Sequence, residues 1–278
     1  MRTAPPSTIV SRGGGAPTAL IHGALSSNSL WHYPLPRRVL SGQTRGYPLP
    51  GHHPWHQSSG QLERLLNMRD LSDAYAMSLR RDFDERPVHL VGHSTGAFVA
   101  LAIAARHPRR VARLTLIGGF ADGQIAGGSP MLKSMLLSGN YGADALHSLF
   151  QLWTSTRMTF EAGLATVMGR SQEPWHNAQF RSHSEQVRHD LIASDVDQLM
   201  HVGRWLDRQR MMDLVPQIRQ PTLVVAGKND PVIPFAHQRQ LALTLPRGRL
   251  APFGDVGHLV MVESPAQFCS AVDASFQR

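Results

Sequence analysis

Apolar and polar positions follow two rhythms along this chain. Short apolar, β-branched runs at 18–21, 87–91, 111–117, 221–226 and 249–253 predict strands buried on both faces, with a weaker one at 38–41. Helical spacing takes over between them, at 27–32, at 61–83 with leucines at 62, 65, 66, 71 and 79, at 235–245 and at 265–276. Residues 97–105 are small and apolar on every side, which predicts a fully buried helix. It ends at His107-Pro108, because a residue ahead of proline is pushed out of the helical region. Residues 46–54, rich in Pro, Gly and His, predict a loop. Strands alternating with helices in this way predict an α/β chain, a mostly parallel sheet flanked by helices.

From about residue 120 to 206 the alternation stops. Apolar residues there fall at helical spacing, as in Leu146, Leu149, Phe150 and Trp153, and predict a helical insertion. At 278 residues the chain has room for one large core with such an insertion.

Composition adds mostly exclusions. The chain is 42% hydrophobic and 17% charged, a globular balance. No apolar run is long enough to span a bilayer, and MRTAPPSTIVSRGGG lacks the apolar core of a signal peptide. With Cys269 as its one cysteine, no intrachain disulfide can form; a cytoplasmic location is the expectation. The net charge is +8, from 28 basic against 20 acidic residues, and all the basic residues except Lys133 and Lys228 are arginines. They are scattered, with no basic block and no basic-aromatic motif, so no nucleic-acid partner is expected.

The chemistry begins at Gly92-His93-Ser94-Thr95-Gly96, which lies between a predicted strand and a predicted helix. Small residues flank the serine because the chain must turn sharply there, and the turn exposes the hydroxyl at its tip. A serine hydroxyl needs a base, and the base needs a carboxylate to orient it. Among 15 histidines, His258 follows the last short strand on a loop able to swing over the sheet's carboxyl edge. Asp230 directly follows the strand at 221–226 and reaches the same edge.

Six segments together resemble the α/β-hydrolase superfamily: His22-Gly23, Pro50-Gly51-His52, the GHSTG turn, ARHPRRVARLTLIGG at 105–119, GKNDPVIP at 227–234 and GHLVMVESP at 257–265. They stand in the family's order and spacing, and nothing specific matches the insertion. The resemblance implies an α/β-hydrolase fold with a helical cap inserted after the sixth strand. The core would be 1–120 and 207–278, and the cap 121–206. It implies Ser94 as nucleophile, His258 as base then acid, and Asp230 as its partner, in the chain order the fold uses. It also implies an oxyanion hole from the backbone N–H groups of Ala24 and Thr95, each worth about 3 kcal/mol. Asp122 is a rival acid, since some relatives carry theirs after the preceding strand. Asp255 is expected to shape a turn, His22 to brace the oxyanion loop, and His93 to pack beside the serine. His52, His53 and His56 match no standard metal spacing and are expected on a solvent-facing loop, so no metal and no cofactor are expected.

A serine nucleophile disfavours relatives that use aspartate and favours acyl transfer to water. The expected substrate is a modest-sized, largely apolar small-molecule ester. Leu25, Val232 and Leu259 are expected to line the acyl pocket, and Met131, Met135, Trp153, Met158 and Met168 to offer a soft apolar lining. Perhydrolase-like, carbon–carbon or amide hydrolysis on the same triad, and a non-enzymatic ligand-binding role, stand as alternatives. The oligomeric state is left open.

Overall fold

The computed structural model describes residues 4–123, 130–170, 173–176 and 178–276. Among them one sheet forms from β1 (Thr8–Arg12), β2 (Gly15–Ile21), β3 (Gly42–Tyr47), β4 (Val88–His93), β5 (Val111–Ile117), β6 (Thr222–Gly227) and β7 (Gly248–Phe253). The strand order is β1-β3-β2-β4-β5-β6-β7. Every neighbouring pair is parallel except β1 with β3. Helices α1 (Arg37–Leu40), α2 (Ser59–Leu65), α3 (Met68–Phe83) and α4 (Thr95–Arg106) precede β5. Between β5 and β6 come α5 (Pro130–Leu137), α6 (Gly139–Thr154), α7 (Arg157–Ala165), α8 (Ala178–Ile192) and α9 (Val196–Asp207). Helix α10 (Phe235–Thr244) joins β6 to β7, and α11 (Val260–Glu263) and α12 (Pro265–Ser275) follow. No described helix is long and apolar enough to cross a membrane.

Successive strand residues point to opposite faces, and the core divides accordingly. Ala19, Ile21, Leu90, Leu116 and Val224 join α3, α4 and α10 in one apolar cluster. Leu20, Val91, Ile117 and Val225 join Trp31, Val39, Phe268 and Val272 in the other. Helix α4 is buried along almost its whole length, as its apolar surround predicts. Fully burying a side chain such as Phe98 or Leu101 contributes about 2–3 kcal/mol.

Three expectations are corrected. Residues 38–41 form helix and turn, not strand, because Pro36 sets a turn and the N–H groups of Arg37 and Arg38 donate to Asp273 of α12 at 3.1 and 3.0 Å. The strand is β3, GQTRGY, whose polar residues hide it from an apolar pattern and which takes two residues from the expected 46–54 loop. The stretch 61–83 is two helices, separated where Asn67 caps α3 by accepting from the Asp70 N–H at 2.8 Å. The helical insertion leaves the sheet after the fifth strand in chain order, not the sixth, since the sole antiparallel edge strand among the described residues is β1.

Candidate active site

The β4–α4 turn is strained at its centre. Ser94 sits at φ 52° and ψ −118°, a left-handed conformation costly for a residue with a Cβ. The Ser94 N–H donates to the Ile117 carbonyl at 2.8 Å, which pins the turn to β5. A Cβ on Gly92 would collide with Gly96, and one on Gly96 with the carbonyls of Ile21 and His22, so the turn closes only with glycine at both positions. The Thr95 N–H heads α4, where the helix dipole favours negative charge.

Asp230 leaves β6 and turns its buried carboxylate inward. Its Oδ1 accepts the N–H groups of Val232 and Ile233 at 2.8 and 2.9 Å. Its Oδ2 accepts from Gln238 Nε2 at 2.9 Å and lies 2.8 Å from His258 Nδ1. A carboxylate so placed holds the proton on Nδ1 and leaves the Nε2 lone pair outward. Asp122 has another task, accepting the N–H groups of Met211 and Met212 at 2.9 and 3.1 Å where the chain returns from the insertion.

His258 is buried, and its ring lies close to the serine turn. His93, the residue before Ser94, meets the His258 ring at 4.8 Å between centroids and bonds the His258 carbonyl through Nε2 at 3.1 Å. Gly118, next to the carbonyl that holds Ser94, faces the same ring; a Cβ there would stand 2.9 Å from His258 Cε1. The His258 N–H donates to the Val167 carbonyl of the insertion at 2.9 Å.

The loop after β2 approaches from the other side, where a Cβ on Gly23 would stand 3.0 Å from Ser94 Cβ. His22 is fully buried; its Nδ1 is 2.8 Å from the Gly23 carbonyl, and its Nε2 accepts the Leu49 N–H at 3.4 Å. Burial lowers its pKa to about 4, so it braces this loop as a neutral ring. Leu25 is a second strained residue, at φ 54°.

The His52, His53, His56 expectation needs revision. His53 and His56 are exposed, but His52 is buried, edge-on to His22 at 4.9 Å, and burial holds its pKa well below the usual value. Among the described residues no group of three or more ligating side chains could hold a metal ion.

The residues expected around the substrate differ in burial. Leu259 lies in one core cluster, Val232 packs on the other, and Leu25 is half-exposed. Met168 is core, Met158 faces solvent, and Met135 is half-buried. The Trp153 ring stacks on Phe160 at 4.8 Å, within the insertion's own core. The Met131 side chain lies outside the described residues.

Residues 19–271 match the model of the alpha/beta hydrolase family. The chain belongs to this family. It is 27% identical over 257 residues to the dihydrolipoyllysine-residue acetyltransferase component of an acetoin cleaving system from Pseudomonas putida, covering 91% of this chain and 61% of that protein's length. It is 26% identical over 276 residues to 2-hydroxymuconate semialdehyde hydrolase from Pseudomonas sp. (strain CF600), covering 94% and 86%. Against the pimeloyl-[acyl-carrier protein] methyl ester esterase of Aromatoleum aromaticum (strain DSM 19018 / LMG 30748 / EbN1) it is 28% identical over 251 residues, covering 88% and 92%. The crystal structure of the enol-lactonase from Burkholderia xenovorans LB400 superimposes with a TM-score of 0.70 at 19% identity, covering 98% and 96%.

Within this family member, two side chains at the site escaped the sequence reading. Gln238, fully buried on α10, supports Asp230 and also donates to the Ile233 carbonyl at 2.8 Å. Glu263 is buried too, and accepts the N–H groups on either side of His258, from Gly257 at 2.9 Å and Leu259 at 3.1 Å. A signal did exist for Glu263, as the lone charge in LVMVESP, since carboxylates are rarely buried without partners.

Proposed function

We propose that this alpha/beta hydrolase is a serine hydrolase of modest-sized, largely apolar carboxylic esters, acting through Ser94, His258 and Asp230. The 2.8 Å contact between His258 Nδ1 and Asp230 Oδ2, with the strained Ser94 turn against the same ring, carries the reading. His258 Nε2 takes the hydroxyl proton as Ser94 Oγ attacks the ester carbonyl. The N–H groups of Thr95 and Ala24 receive the developing oxyanion. The C–O bond to the alcohol then breaks, and the imidazolium returns its proton to that oxygen. Water, deprotonated by the same ring, attacks the acyl-serine; the bond to Ser94 Oγ then breaks, the imidazolium returns its proton to Oγ, and the acid leaves. Asp230 stays ionised and stabilises the imidazolium throughout. The sequence needs no cofactor, since the nucleophile and base are side chains.

The likeness to a methyl ester esterase supports an ester. The likeness to a semialdehyde hydrolase supports a second reading, carbon–carbon cleavage on the same residues. Hydrolysis of p-nitrophenyl acetate and butyrate by wild type and Ser94→Ala, with fluorophosphonate labelling, tests both. Labelling at Ser94 and a kcat loss of about four orders of magnitude in the variant are expected. Equal turnover by the two proteins, or an unlabelled Ser94 with no turnover, would sink the hydrolase reading. A labelled enzyme that spares both esters yet hydrolyses 2-hydroxymuconate semialdehyde, assayed alongside them, would move the reaction to carbon–carbon bonds.

A further inference from the structure

We propose that Glu263 is a positioning residue for His258, a buried carboxylate that fixes the histidine loop and ties it to the helical insertion. The proposal rests on His258 acting as the base. Three successive N–H groups define this loop. Those of Gly257 and Leu259 end on Glu263 Oε2 and Oε1, at 2.9 and 3.1 Å. That of His258 ends on the Val167 carbonyl at 2.9 Å. Glu263 Oε2 also accepts the Gly169 N–H at 2.7 Å, so one oxygen bridges the loop and the insertion.

The two chains lie backbone against backbone at this point. A Cβ on Gly169 would come within 2.7 Å of the Gly257 nitrogen. The single turn of α11 returns residue 263 beneath the loop, within reach of residues 257 and 259. A carboxylate suits the place because its two oxygens can serve three donors, and bonds to a charged acceptor are about twice as strong as neutral ones. With the main chain held on both sides of His258, its ring has one direction in which to meet Asp230 and Ser94. Small displacements of a base cost large factors in rate.

Glu263→Gln in the full chain tests this. Glutamine keeps the shape but turns an NH2 group toward a backbone N–H. The expected result is a roughly thirtyfold lower kcat with KM changed less than about twofold. The downfield proton signal of the His258–Asp230 hydrogen bond should shift or broaden while unfolding stays cooperative. Glu263→Asp, which keeps the charge, should recover part of the rate. In a His258→Ala background, Glu263→Gln should change the residual rate less than about twofold, because there is no imidazole left to place. The same loss in both backgrounds, an unaltered kcat and proton signal, or failure of both Glu263 variants to fold overturns the proposal. A wild-type rate from His258→Ala overturns the triad itself, whatever Glu263 does.

Discussion

The loops at the sheet's carboxyl edge and the helical insertion between β5 and β6 are held in different ways. At the edge, the residues of the site are held by specific hydrogen bonds. Asp230 is engaged by two backbone N–H groups, Gln238 and His258, and Ser94 is pinned to β5. The insertion has a small core of its own, with Phe160, Val187 and Leu191 fully inside. Tyr141, Leu152 and Met158 face solvent. It meets the rest through apolar and polar contacts alike: Met168 and Phe180 lie in the core cluster of Leu20 and Val91, Trp205 packs edge-on to Phe98, and hydrogen bonds link Val167 and Gly169 with the His258 loop, Asp190 with Ser27 and Ser29, and Gln198 with Gln57. Loops held by converging hydrogen bonds suit bond-breaking, which tolerates little displacement, and an insertion anchored on one side with large apolar side chains left facing solvent on the other suits substrate selection.

The largest expected effect breaks the rigid side. In Asp230→Asn, an amide NH2 would face the donors now served by Oδ2, favouring the wrong imidazole tautomer. A kcat loss of about four orders of magnitude is expected. Asp122→Asn keeps the oxygen that Met211 and Met212 use, and kcat should stay within about threefold. Steady-state kinetics on one ester decides it, and the reverse result would hand the orienting role to Asp122.

A second expectation separates the regions by pH. His89 on β4 is fully buried, and burial lowers its pKa to about 3. The unfolded chain protonates this histidine near 6.5 and the folded chain does not, so below 6.5 the unfolded state binds more protons. Its contribution to stability is therefore intact above pH 6.5 and lost progressively as pH falls toward 3, by about 2 kcal/mol at pH 5. His22, with a pKa near 4, acts in the same direction over a narrower window. Urea unfolding of wild type and His89→Leu between pH 6.5 and 4.5 measures it. The variant should show the shallower slope, and parallel slopes would remove His89 from the account.

The same contrast explains what the sequence made legible. Strands buried on both faces leave apolar runs, and a serine turn leaves glycines, so β2, β4, β5, β6 and the 92–96 motif could be read directly. β3 could not, because the buried Thr44 and Gly46 alternate with the half-exposed Gln43 and Arg45 and no apolar run marks them. Ser94, Asp230 and His258 were visible as loop residues after strands. Glu263 and Gln238 were hidden because their role is to bond partners that only the fold brings near. His52 looked like a loop residue by composition, yet it packs on His22, a contact invisible in local pattern. The insertion showed its helices but no common lining, since Trp153, Met158 and Met168 ended in three different environments.

The smallest effect should come from loosening the insertion. Ser27 and Ser29, just after Ala24 and Leu25, both donate to Asp190 Oδ2, at 2.7 and 2.6 Å. Asp190 lies on α8, so these bonds join the loop beside Ser94 to the insertion. Asp190→Ala removes both while leaving Ser94, Asp230 and His258 untouched. If the insertion selects the substrate, KM should rise about tenfold for the preferred ester, kcat should change less than about threefold, and preference along an acyl-length series should flatten. A uniform fall in kcat across the series would mean instead that Asp190 serves the oxyanion loop. The line between a rigid catalytic edge and a selecting insertion would then have to be redrawn to put α8 on the catalytic side.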